Sequence, residues 1–198
     1  WSLSIEPDYE MSINAPQPLG DGTWFVSGHG GVSARFRPPA EPGGDVDVLW
    51  SGTPRTSFGS ANVTAVVHDG LILGCDSKSS ALTCVDVATG KRLWTTTEAT
   101  LGTTDRRETR GVRHGTAFPV RVDGTDRFWL AAETGDLILA RLTAAGYEEL
   151  ARRPLLPPTG ETFGRPVWWS HPAFSGGSIY ARNDREIIRV DLRAGDNG

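Results

Sequence analysis

Cys84-Val85-Asp86-Val87-Ala88-Thr89-Gly90-Lys91-Arg92-Leu93-Trp94 reads as a strand, a tight turn and a second strand that ends in tryptophan. Gly90 suits a left-handed turn conformation. Asp86 and Thr89 are short polar side chains able to bond nearby backbone groups in that turn. Variants of the stretch recur. Trp50 and Trp94 lie 44 residues apart, close to the roughly 40–45 residues of a four-stranded propeller blade. Val190-Asp191-Leu192-Arg193-Ala194-Gly195 repeats Val85 to Gly90 with Asp and Gly in register. Ala140 to Leu150 reads as a degenerate copy with Leu150 where Trp94 stands, and Ala34-Arg35-Phe36 followed by Val48-Leu49-Trp50 is the loosest one.

An apolar strand precedes each copy: Thr23 to Val26, Gly70 to Leu73, Arg127 to Leu130 and Ser178 to Ala181. Repetition at this spacing predicts an all-β fold, a β-propeller of four-stranded antiparallel blades. Four repeats are expected, at about 12–50, 58–95, 112–152 and 166–195, within one domain spanning 1–198. Leu71–Leu73 should pair with the strand around Leu82–Val85, and Phe128–Leu130 with Leu137–Leu139. Each terminal tryptophan is expected to cover the neighbouring blade, since a buried ring of this size removes roughly 150–250 Å² from water.

Composition agrees. The chain has 198 residues, 24 Gly, 13 Pro and one Met, with short apolar segments broken by turn dipeptides and no long helical periodicity. The formal net charge is −4 and no basic tract is present, which argues against nucleic-acid binding. No apolar run approaches the roughly 20 residues of a membrane helix.

The Cys84–Trp94 stretch resembles the tryptophan-docking motif of the pyrroloquinoline-quinone (PQQ) propeller repeat, Ala-x-Asp-x-x-Thr-Gly-Lys-x-x-Trp. Cys84 stands at the Ala position; Asp86, Thr89, Gly90, Lys91 and Trp94 match. The tail from Pro157 to Leu192, with Trp168-Trp169-Ser170-His171-Pro172-Ala173-Phe174 and Ala181-Arg182-Asn183-Asp184, resembles the C-terminal part of secreted bacterial PQQ-like propeller proteins. The resemblance implies a secreted or periplasmic location and additional N-terminal blades. The chain opens at Trp1 rather than at an initiator Met and is expected to be a fragment, an arc of a larger ring. The other arrangement has Trp1-Ser2-Leu3-Ser4 supply the outer strand of the last blade and close a four-bladed ring.

Two function classes follow from the resemblance. One is a non-enzymatic exported scaffold or binding module, needing no cofactor and using a ring face for a protein or carbohydrate partner. The other is a fragment of a PQQ-dependent dehydrogenase of alcohols or sugars, requiring PQQ and calcium. Such an enzyme would need a catalytic Asp, calcium ligands such as Glu and Asn, a basic residue near the quinone and, in alcohol-oxidising members, an adjacent Cys-Cys pair. Cys75 and Cys84 are not adjacent, and no carboxylates cluster in the sequence as calcium ligands do. The scaffold reading is the better supported.

Loops carry function on a rigid scaffold, and three stand out. Gly28-His29-Gly30-Gly31 reads as a hairpin turn, because no helix follows to complete a phosphate cradle. Thr103 to His114 reads as a solvated connector. In Gly164 to Pro172 the adjacent tryptophans should face opposite ways, one in the core. The other, Trp169, is expected with Arg165, His171 and Arg182 at the ring mouth as a weak anion or ligand site. The remaining motifs carry less. His29, His68, His114 and His171 are scattered without metal-ligand spacing, and His68, before Asp69-Gly70, reads as a solvated loop residue. Asn62-Val63-Thr64 matches a glycosylation sequon, accidental in a bacterial setting. If the hairpin holding Cys75 and Cys84 has a register summing to 159, the two face each other and a disulfide is geometrically open; otherwise they are two small buried hydrophobes.

Overall fold

The structure is a computed structural model, described over residues 1–11 and 13–193. The first blade is β1 (Gln17–Pro18), β2 (Trp24–Gly28), β3 (Val32–Arg37) and β4 (Asp47–Gly52). The second is β5 (Val66–His68), β6 (Leu71–Asp76), β7 (Ala81–Asp86) and β8 (Arg92–Thr96). Two single-turn helices follow, α1 (Glu98–Leu101) and α2 (Arg106–Thr109). The third blade is β9 (Ala117–Arg121), β10 (Arg127–Ala132), β11 (Asp136–Thr143) and β12 (Gly146–Pro154). A separate hairpin, β13 (Gly160–Thr162) and β14 (Arg165–Val167), precedes the three-stranded sheet of β15 (Ala173–Ser175), β16 (Ser178–Arg182) and β17 (Ile187–Asp191).

Every sheet is an antiparallel meander in sequence order, and β1, β5 and β9 lie beside one another at the inner edge. The chain is a partial β-propeller. Residues 1–7 form no strand; Trp1 packs on Phe36 of the first blade, ring centroids 6.0 Å apart. Among the described residues β17 pairs only with β16, so the blades form an arc and Trp1–Ser4 does not close it. No helix among the described residues is long and apolar enough to cross a membrane.

Blades stack face to face, so central strands are covered on both sides. That is why β6 and β7 are buried almost throughout, while the outer β8 alternates. The two-residue period of a strand sorts side chains between neighbouring cores. Ile72 and Val85 join Phe25 and Phe58 towards the first blade. Leu73, Cys75, Leu82 and Cys84 join Phe128, Leu130 and Ile138 towards the third. The predicted pairings are present: Leu73 opposite Cys84, Ile72 opposite Val85, Trp129 opposite Leu139.

The β6–β7 register sums to 157, not 159, so Cys75 faces Leu82 and Cys84 faces Leu73. The cause is the turn: Asp76 Oδ1 accepts from the backbone N–H groups of Lys78 (3.1 Å) and Ser79 (2.7 Å), which centres the loop one residue earlier. Both cysteines are free and buried. Burial pushes each thiol up to about 12, so they remain protonated hydrophobes. Cys75 also exchanges two bonds with the backbone of Ala117, at 3.3 Å each, stitching the second blade to the third.

Three outer strands carry the same bulge. Arg35 pairs Trp50 and Phe36 pairs Val48; Cys84 pairs Trp94 and Val85 pairs Arg92; Leu139 pairs Ala151 and Ala140 pairs Glu149. The extra residue is a leucine each time: Leu49, Leu93 and Leu150. Leu150 is therefore the counterpart of Leu93, and Ala151 stands where Trp94 does. Counting from the turn glycine misplaces it because β11 and β12 extend to a two-residue turn, Thr143 pairing with Gly146.

The tryptophans reach across the joints. Trp50 Nε1 donates to Val87 O of the second blade (2.9 Å), and Trp94 Nε1 to Thr143 O of the third (2.7 Å). In the turn beneath Trp50, Asp86 Oδ1 accepts from Thr89 N (2.7 Å) and Thr89 Oγ1 (2.6 Å). Gly90 has φ +69°, and a Cβ there would lie 2.6 Å from the Trp50 ring. In the last sheet Asp191 Oδ1 accepts from Arg193 N (3.0 Å); Ala194 and Gly195 lie outside the described residues. His68 is not a loop residue: it ends β5, is half-buried, bonds Arg121 at 3.0 Å and meets Phe128 edge-on.

Candidate functional site

The residue that follows the second strand of each blade is polar and buried: His29, Ser77, Glu133 and Asn183. These positions hold the segments that lead into the blades. Asn183 Nδ2 donates to Pro157 O (3.0 Å). Glu133, only 2% exposed, accepts from Thr116 N (3.0 Å), Arg165 Nε (2.8 Å) and Trp169 Nε1 (2.9 Å). One buried carboxylate thus fixes both an arginine and an indole, at the root of the β13–β14 hairpin. A buried charge is tolerable only when so paired.

His29 is equally buried and opens the β2–β3 turn. Its backbone accepts from Asp8 N (3.0 Å) and donates to Met11 O (2.9 Å), which docks the N-terminal segment onto the first blade. An ion pair from Asp8 to Lys78 (2.9 Å) ties that segment to the second. Ser77 Oγ gives its proton to Gly59 O (2.7 Å), so it accepts from His29 Nδ1, also at 2.7 Å. In the uncharged ring the lone pair then sits on Nε2.

Four rings stack above this floor. Tyr9 lies on His29 (centroids 5.9 Å), His29 on His114 (4.8 Å, 19° between planes) and His114 on Phe163 (5.4 Å, 8°). Trp169 leans on His114 at 6.4 Å. Burial first, then the neighbouring His29, Arg165 and Arg113, holds the His114 pKa below the usual imidazole value. Tyr9 and Phe163, the ends of the stack, are 81% and 69% exposed. With Arg113 and Trp169 these rings line a cleft of about 340 Å³.

The backbone is strained to present them. Tyr9, Glu10, His114 and Phe163 have φ of 58°, 57°, 59° and 49°, a left-handed region rarely entered by residues other than Gly, Asn, Asp and His. Phe163 and Gly164 form the two-residue β13–β14 turn, both with positive φ. Such turns favour Asn or Gly at the first place, so a phenylalanine here costs stability. Strain of this kind clusters at functional sites.

Of the residues singled out in the sequence, the structure unites Arg165 and Trp169 on Glu133. His171 lies apart, on Phe118 with centroids 4.9 Å apart. Arg182 is exposed on β16, where its carbonyl accepts from Trp168 Nε1 (2.7 Å). Trp168 is in the core and Trp169 is half-buried beside the cleft, so the pair does face two ways. No sequence pattern joins Tyr9, His29, His114, Phe163 and Glu133 as a group. The one local signal was Phe-Gly at 163–164 between short extended runs. A larger recess of about 520 Å³ lies between the third blade and the last sheet. Two of its three arginines are engaged, Arg121 with Asp123 (3.6 Å) and Arg193 with Asp191, and it carries no comparable strain. Among the described residues no three His, Cys, Asp or Glu side chains stand together as a metal site.

No protein-family model and no curated protein matches the chain. Solved structures do. BamB from Moraxella catarrhalis superposes with a TM-score of 0.59 at 14% identity, over 90% of this chain and 49% of that one. The computationally designed Ika8 protein gives 0.53 at 14%, over 90% and 45%. Saccharomyces cerevisiae Sqt1 gives 0.54 at 11%, over 92% and 59%. The chain spans about half the length of these structures. At such identities the likeness is one of fold.

Proposed function

We propose that the chain is part of an exported, PQQ-like β-propeller that works without catalysis as a binding module, and that its binding surface is the aromatic cleft. The observation that carries this is the convergence of two segments outside the blades, 8–11 and 160–167, on one cleft. Neither adds a strand to a blade, yet each holds an exposed aromatic in a costly backbone conformation. The PQQ-like part rests on the Asp86–Thr89–Gly90 turn beneath Trp50, on the inter-blade bonds of Trp50 and Trp94, and on the likeness to BamB. Export and bacterial origin rest on the sequence resemblance.

A titration and a screen test the reading. The first mixes the full chain with PQQ and calcium: no saturable heat is expected. A micromolar or tighter constant abolished by Arg182→Ala would promote the dehydrogenase reading instead. The second screens a peptide library and a glycan array with the wild type and with a Tyr9→Ala/Phe163→Ala double variant. Binders lost in the double variant are expected; binders that all persist would place the working surface elsewhere.

A further inference from the structure

The rings and polar atoms of the cleft select a ligand class, and we propose that it takes an acidic saccharide. This rests on the cleft being the binding surface. The flat C–H face of a sugar ring matches exposed aromatic faces, and its hydroxyls both donate and accept. The cleft supplies both partners: ring faces on Tyr9 and Phe163, an imidazole lone pair on His29 Nε2, and donors on Arg113. Asn62, also in the lining, spends its amide on Thr116 Oγ1 (3.2 Å) and keeps its carbonyl oxygen as a further acceptor.

A peptide anchor would find less. Aliphatic and aromatic anchors dock into enclosed apolar pockets, whereas this cleft is open, its apolar surface is the flat ring faces of Tyr9, Phe163 and Trp169, and Met11 is its one aliphatic side chain. Charge decides for acid. No carboxylate lines the cleft: Glu10 and Glu161 sit on its two segments but outside the lining, and of the carboxylates behind it Asp8 is held by Lys78 and Glu133 by Arg165. Arg113 is exposed and makes no ion pair among the described residues. A guanidinium in that position suits a sugar carboxylate.

The test is calorimetric titration of the full chain with trigalacturonate and, as a neutral counterpart, maltotriose. Trigalacturonate should bind, and maltotriose should bind roughly tenfold more weakly or not at all. Tyr9→Ala and Phe163→Ala should each weaken trigalacturonate by roughly three- to tenfold, the scale of one aromatic contact, with melting unchanged because both rings are exposed. Arg113→Gln should erase the preference for the acidic sugar. Equal affinity for both sugars, or a preference that survives Arg113→Gln, would overturn the charge argument. If neither sugar binds while a library peptide does, lost on Phe163→Ala, the saccharide is wrong and the cleft reading stands. Sugar binding that ignores all three variants would sink both.

Discussion

The joints between the first three blades differ from the joint that follows them. Between the first and second blades and between the second and third, a tryptophan on the outer strand crosses the gap and donates to a backbone carbonyl of the next blade, Val87 or Thr143. The third outer strand has the same bulge and the same exposed leucine, but Ala151 where a tryptophan would be. Beside Ala151 is a recess of about 260 Å³, bounded by Trp129, Leu137, Val190 and Leu192. One side chain separates a sealed joint from an open one. The strand pairing that builds a blade and the ring that fastens it to its neighbour are therefore separable features of the repeat.

The effect most specific to this contrast is expected at Trp94. Trp94→Ala removes a half-buried ring packed on the main core together with its bond to the Thr143 carbonyl. Fully buried aromatics cost about 3–5 kcal/mol on truncation; with part of this ring in water, about 3 kcal/mol is expected in urea unfolding. Leu150→Ala at the open joint should cost less than about 1 kcal/mol. Similar losses at both sites would mean that the indole does not fasten the blades.

Gly90→Val attacks the same kind of joint from the other side. The residue must hold φ +69°, and its new Cβ would stand 2.6 Å from the Trp50 ring. Left-handed backbone costs about 1–2 kcal/mol outside glycine, and overpacking typically adds another 1–3 kcal/mol. A destabilisation of about 2–5 kcal/mol is expected, and in a Trp50→Ala background only the backbone part, about 1–2 kcal/mol, should remain. A loss unchanged in that background would assign the cost to φ alone.

The blades were legible because each repeats a period-two apolar strand and a turn whose chemistry is local, as in Asp86, Thr89 and Gly90. Register was not, since it depends on where a turn is centred. Asp76 shifts one hairpin by a residue, and the short Ala144–Ala145 turn shifts the reading of Leu150. The site was legible in halves. Two adjacent tryptophans and Arg165 marked the β13–β14 side, but the carboxylate that joins them, Glu133, sits one blade earlier. The stack of Tyr9, His29, His114 and Phe163 draws on segments far apart in sequence. It exists only because successive blades bring their turns to the same face, which no local pattern announces. What the sequence did carry was a conflict, a phenylalanine at a turn position that favours asparagine or glycine.

The smallest effect expected comes from mending the open joint rather than breaking a sealed one. Ala151 holds the register position of Trp50 and Trp94, opposite Leu139 as they stand opposite Arg35 and Cys84. The acceptor has a counterpart too: Leu192 follows Asp191 as Val87 follows Asp86, and it already borders the recess. Ala151→Trp should therefore place its ring in the recess with an N–H within reach of a backbone carbonyl. Cavity filling of this kind yields about 0.5–2 kcal/mol, and about 1 kcal/mol is expected here, read as a higher urea midpoint at unchanged slope. The gain should require the polar end of the ring, so Ala151→Phe should recover only part of it. Destabilisation by both substitutions would mean that the third joint is closed to an outer-strand ring, and the equivalence drawn between the three joints would fail.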